Sequence, residues 1–169
     1  ADADGPSSLA GVMGGMNSSI TDKTRDIVIE VAVFNPATVR KSSRRAGVES
    51  ESKRRFERGV DKAGSKRALI RAIELLAKLA CPTDGKIKVG KIQAAGSEDI
   101  QEQKVKLRIS QIRRLLGIEI PTQTIVDLLS KIEIKLAKET KKELEFIIPS
   151  FRQLDITREA DLIEEIARL

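Results

Sequence analysis

The sequence predicts an α+β protein, with a mixed sheet-and-helix domain in its first half and a small winged-helix-like domain in its second. Three observations lead there. A β-branched apolar run, Ile27 to Phe34, precedes segments of helical period. Beyond a polar, weakly patterned stretch, the elements read strand, helix, helix, strand, strand, helix. The apolar residues are nearly all aliphatic, with four Phe and no Trp or Tyr among 169 residues. The expected domains are residues 1–95 and 104–169, joined by a linker at 96–103.

In the first half, Gly11-Val-Met-Gly14-Gly15 reads as a bulge, a tight loop or a floor beneath a ligand, because paired glycines permit positive φ and close backbone approach. It matches neither a dinucleotide fingerprint nor a P-loop. The run 27–34 reads as a strand apolar on both faces and ended by Asn35-Pro36. Glu30 interrupts it. A carboxylate inside a buried strand is costly unless it is paired or has a task, so Glu30 is either ion-paired to a following arginine or functional. The Asn-Pro pair opens a short helix that Gly47 closes. A longer helix from about Lys62 to Ala80 places Leu69, Ile73, Leu76 and Ala80 on one expected core face.

In the second half, residues 104–109 alternate as a strand, and Ser110 is placed to cap a helix over 111–116 that Gly117 stops. Residues 121–130 form a second helix, and strands at 132–138 and 143–148 make a hairpin around residues 139–142. From about Thr157 a final helix sets Leu162, Ile163, Ile166 and Leu169 on an apolar stripe. Arg113 and Arg114 are candidate phosphate contacts or simply solvated, and fold alone does not license a nucleic-acid role.

Composition narrows the chemistry. Histidine is absent, which excludes Ser-His-Asp and Cys-His catalysis and histidine-based zinc sites within this chain. The single Cys81 supports no internal disulfide and reads as a buried or semi-buried thiol in a reducing compartment. No long apolar run suggests a membrane span, and no leader pattern is present. The chain starts without Met and stops within a helical pattern, so it reads as a piece of something longer. Its net charge of +6 is concentrated in residues 40–71, which hold 12 Lys/Arg against four Asp/Glu. Such a stretch is either a solvated basic face or a surface for a polyanion such as RNA.

The final helix carries Asp161, Glu164 and Glu165 at i, i+3 and i+4, and Asp155 lies just before it. Four carboxylates so close repel unless a cation sits among them. One reading is a hard divalent ion such as magnesium with oxygen ligands. The other is a solvated acidic face paired to Arg158 and Arg168.

The run P-S-F-R-x-x-D-I-x-x-E-x-D-L-I-E-E-I-A-R over 149–168 resembles the end of the B5 domain in the phenylalanyl-tRNA synthetase β-subunit family of bacteria. It departs in having Phe151 where tryptophan is common and one extra residue between Arg152 and Asp155. The first half resembles the C-terminal part of the same family's B3/B4 domain. It does so through A-G-V-M-G-G (10–15), I-E (29–30), F-N-P (34–36), S-S-R-R-x-G (42–47) and S-x-S-x-x-R-F-E-R-G-V-D (50–61).

The resemblance implies that Asp155, Asp161, Glu164 and Glu165 match magnesium ligands near the junction with a catalytic α subunit. It implies that Glu30 recognises the tyrosine hydroxyl in hydrolytic editing of tyrosyl-tRNA(Phe), with Ser50 and Ser52 lining the pocket. Ser52 stands where alanine is common. Part of the family's pocket would lie upstream of Ala1. The implied setting is a cytoplasmic (αβ)₂ heterotetramer that charges tRNA(Phe) with phenylalanine using ATP and Mg²⁺. The α subunit catalyses that step, so this segment would not charge tRNA alone. The rival expectation is a non-enzymatic nucleic-acid-binding or purely structural module.

Overall fold

The computed structural model describes residues 3, 5–80, 87–96 and 99–169, so the expectation for Cys81 lies outside the described residues. The chain divides into two compact units, Ala1–Ala95 and Gly96–Leu169.

The first unit opens with a two-stranded antiparallel hairpin, β1 (Ser8–Leu9) and β2 (Met13–Gly14). Gly11 sits at its turn with φ +68°, where an added Cβ would lie 2.8 Å from Phe34 Cδ2 and 3.0 Å from Val39 Cγ2. At Gly15 a Cβ would meet the Ser7 carbonyl oxygen at 2.5 Å, and its N–H donates to that oxygen at 2.8 Å. Both glycines are therefore required by close packing.

Helix α1 (Pro36–Ala46) has the expected ends. Asn35 Oδ1 accepts from the Thr38 N–H at 3.1 Å, Pro36 occupies the first turn, and Gly47 closes the helix at φ +65°. A short helix α2 (Glu51–Phe56) follows, then α3 (Ser65–Leu79). Val12, Val39 and the Ser43 side chain are buried, and Phe34 meets Phe56 edge to face at 4.9 Å.

Two expectations fail in this unit. Residues 27–34 form no strand, and Ile27, Val28, Val31 and Val33 are exposed, Val28 at 98%. A strand exists only through a partner's hydrogen bonds, and no described segment supplies them. Glu30 is consequently exposed and makes no ion pair among the described residues. The apolar stripe of α3 is likewise no core face: Leu69, Ile73 and Leu76 are only half-buried, and none of its residues is buried.

The second unit follows the expected order closely. Strand β3 (Gln103–Arg108) leads into α4 (Ile109–Leu116), then α5 (Thr122–Ser130), β4 (Lys135–Glu139), β5 (Glu143–Ile148), a 3₁₀ turn over Ser150–Arg152 and α6 (Glu159–Arg168). The sheet is antiparallel in the order β3-β5-β4, with Val105 opposite Phe146 and Leu107 opposite Leu144. Period-2 alternation turns Val105, Leu107, Leu144, Phe146 and Ile148 inward, where Ile112, Ile125, Leu129, Leu162, Ile163 and Ile166 cover them. Fully burying each such side chain is worth about 1.5–3 kcal/mol.

Local ends differ from expectation. Arg108, not Ser110, is the N-cap of α4, because the helix starts two residues earlier. Residues 131–133 make a turn, with Glu133 at φ +64°, that drops Ile134 fully into the core, so β4 starts only at Lys135. Leu169 remains exposed at the end of the α6 stripe.

Candidate functional site

In the first unit the hairpin and α2 are stapled together by two serines. Ser50 caps α2, its Oγ accepting from the Lys53 N–H at 3.0 Å, and donates to the Val12 carbonyl. Ser52 Oγ donates to the Gly11 carbonyl at 3.2 Å. These contacts make one wall of backbone and hydroxyls from residues 11–12 and 50–52. Glu30 hydrogen-bonds to neither serine, so the structure brings Ser50 and Ser52 together and leaves Glu30 as an exposed carboxylate.

The basic stretch is partly neutralised from within. Lys53 pairs with Glu49 and Glu57, Arg40 with Glu57, Arg54 and Arg55 with Glu51, and Arg71 with Glu74. The two glutamates hold the Lys53 ammonium above its ordinary pKa. Lys41, Arg44, Arg45, Arg58, Lys66 and Arg67 are exposed and make no ion pair among the described residues, and they carry much of the remaining positive surface.

In the second unit the four acids separate by partner. Asp161 turns back over the first turn of α6, accepting from the N–H groups of Thr157 at 2.9 Å and Arg158 at 3.0 Å, with Arg158 Nε at 3.2 Å. Burial raises its pKa, but the N–H and guanidinium donors outweigh burial and leave it below the usual range.

Asp155 and Glu165 meet across Arg152, whose Nη2 lies 2.8 Å from an oxygen of each. Glu165, only 8% exposed, is also bound by Arg168. Burial raises its pKa, and the two guanidiniums more than offset this. Asp155, then Glu165, hold the Arg152 guanidinium above its ordinary value. Glu164 is exposed.

Among the described residues no group of three or more acidic or thiol side chains is placed to hold a metal. The four carboxylates in this arrangement do not fit a magnesium site, because guanidiniums and helix N–H groups already occupy three of them. The pairs Arg158–Asp161 and Arg168–Glu165 are those that the acidic-face reading expects.

Sequence reasoning missed Arg108 and Glu159. Glu159 accepts the Arg108 backbone N–H at 2.7 Å and its guanidinium Nη2 at 2.6 Å, tying α6 to the β3–α4 corner. The only sequence signal was an acid in the first turn of a helix. Arg113 pairs with Glu119 at 2.7 Å, while Arg114 makes no ion pair among the described residues and acts on Glu159 only through its charge.

The family of these two units is shown by their sequence matches, which are to domains of a tRNA synthetase. Residues 1–81 match the model of the B3/4 domain, and residues 105–169 match that of the tRNA synthetase B5 domain. The chain is 41% identical over 99% of its length to the phenylalanine–tRNA ligase beta subunit of Chlorobaculum tepidum. It is 42% identical over 97% to that of Syntrophus aciditrophicus, and 39% identical over 95% to that of Thermotoga maritima. The chain belongs to the phenylalanine–tRNA ligase beta-subunit family. It spans about a fifth of these relatives, covering 21%, 20% and 19% of them respectively. No described helix is long and apolar enough to cross a membrane.

Proposed function

We propose that this chain acts as the B3/4 and B5 part of the β subunit of a cytoplasmic phenylalanine–tRNA ligase and contributes to hydrolytic editing of tyrosyl-tRNA(Phe). The observation that carries this reading is the tandem match of both domains in order, with about two residues in five identical over nearly the whole chain. In the assembled (αβ)₂ enzyme the α subunit performs ATP- and Mg²⁺-dependent charging of tRNA(Phe). This segment positions the end of the charged tRNA.

Glu30 is the tyrosine-recognising group. Its carboxylate accepts a hydrogen bond from the phenol, and phenylalanine leaves it unpaired. Such discrimination needs water kept from the carboxylate, and the exposed Glu30 of this segment depends on neighbouring parts of the subunit for that. The wall of residues 11–12 and 50–52 supports the pocket. With no histidine and no nucleophile–base pair, a positioned water attacks the ester, assisted by backbone N–H donors or a tRNA hydroxyl. Lys41, Arg44, Arg45, Lys66 and Arg67 contact tRNA phosphates.

The test is deacylation of tyrosyl-tRNA(Phe) beside phenylalanyl-tRNA(Phe), by a complete ligase carrying this segment and by its Glu30→Ala variant. Selective release of tyrosine that the substitution removes is expected. Equal rates for the two enzymes would overturn the role given to Glu30.

A further inference from the structure

The turn over Ser150–Arg152 and helix α6 are held together by one side chain. Arg152, with only 20% of its side chain exposed, directs Nη2 at 2.8 Å to both Asp155 Oδ2 and Glu165 Oε1, and its Nε at 2.9 Å to Asp155 Oδ2. Its carbonyl accepts the N–H groups of Asp155 at 3.2 Å and Ile156 at 2.9 Å. Ile156 is core, and its own carbonyl accepts from Gln103 Nε2 at 2.7 Å. The backbone that presents the guanidinium is thus fixed on both sides. Glu165 is the more demanding partner, since a carboxylate buried this far is costly to leave unpaired. Arg168 takes its other oxygen from the exposed side of α6.

A fixed guanidinium therefore stands between two of the acids that would otherwise call for a metal. We propose that Arg152 is the resident counter-cation of this cluster, and that a divalent cation enters between Asp155 and Glu165 only by displacing its guanidinium. The inference is independent of the editing role. It rests on geometry that three features favour. An arginine keeps its charge at every working pH, so loss of its own proton cannot release it. Its planar fork already satisfies a carboxylate oxygen on each side. A small divalent ion, by contrast, gives up its water reluctantly and gains least where the carboxylates are already paired. Arg152 is a positioning residue: it keeps the turn and α6 in register and withholds the acids from metal.

The experiment compares the 169-residue chain with Arg152→Gln and Arg152→Lys, using Mn²⁺ alone as probe. Free Mn²⁺ is read by electron paramagnetic resonance, and unfolding midpoints are read in EDTA and in Mn²⁺. The parent chain is expected to unfold at the same temperature in both. Arg152→Gln should unfold earlier in EDTA, regain the loss in Mn²⁺, and bind Mn²⁺ at least about tenfold more tightly, because a fixed cation has been removed from between two carboxylates. Arg152→Lys should lie between the two. Should Arg152→Gln not fold in EDTA, refolding in Mn²⁺ is the expected rescue, and failure in both would overturn the proposal. So would an Arg152→Gln protein as stable as the parent in EDTA, or a parent that binds Mn²⁺ as tightly as the variant.

Discussion

Ser50→Ala separates a serine that holds the fold from Ser52, which adds one exposed hydrogen bond. Ser50 Oγ caps α2 through Lys53 N–H and donates to the carbonyl of the buried Val12. Losing an N-cap of this kind costs about 1 kcal/mol. Leaving a buried acceptor unpaired adds about 1–3 kcal/mol. The two share one oxygen and do not add fully, so a net loss of about 2–3 kcal/mol is expected, or roughly 30- to 150-fold in the opening equilibrium. Ser52, exposed and with a single bond to Gly11, should cost less than about 0.5 kcal/mol on the same change.

Native-state amide exchange is the suitable assay, because it reads the opening of α1 and α2 apart from the second unit. The Lys53 amide and its neighbours should exchange faster in Ser50→Ala by the stated factor, and be nearly unchanged in Ser52→Ala. Exchange in Ser50→Ala within twofold of the parent, or equal acceleration in both variants, would refute the reasoning.

Three further outcomes are expected. Glu159→Gln removes the carboxylate that receives both the backbone and the guanidinium of Arg108; it should destabilise the second unit by about 1.5–3 kcal/mol, seen as a lower urea midpoint at unchanged slope. The pKa values of Glu159, Asp161 and Glu165 all lie below their ordinary values, Glu159 chiefly through the Arg108 guanidinium. Their contribution is therefore complete above the unfolded-state carboxylate pKa of about 4 and is lost as pH falls through the lower folded values. A melting series from pH 6 to pH 2 should show a fall beginning near that point that is shallower in Glu159→Gln. Gly15→Ala should open the first hairpin, since the new methyl would meet the Ser7 carbonyl at 2.5 Å, with loss of protection at the Gly15 amide as the measurement.

The second unit was legible because its instructions are local. Alternation over 103–108 and 143–148, the helical period of 159–168 and Gly117 each act within a few residues, and together they specify the winged-helix-like order. Residues 27–34 show the opposite case. Their composition is that of a strand, but pairing is supplied by other segments, and composition cannot say whether those are present. At the acidic cluster, spacing revealed the acids and the i+3 pairs to Arg158 and Arg168. It did not reveal that Arg152 reaches Glu165 from 13 residues away, nor that Glu159 and Arg108 meet across 51. The serines of residues 50–52 were visible only through family resemblance, and their bonds to Gly11 and Val12 depend on how the first hairpin folds back onto α2.

The most direct test of the account is to put residues 1–169 in place of the corresponding segment of the Thermotoga maritima β subunit, co-produce that chimaera with the same organism's α subunit, and measure charging of tRNA(Phe) with phenylalanine. The account predicts an assembled enzyme that charges tRNA(Phe) at a rate near the parent's. A chimaera whose β subunit folds but neither joins the α subunit nor supports charging would contradict it.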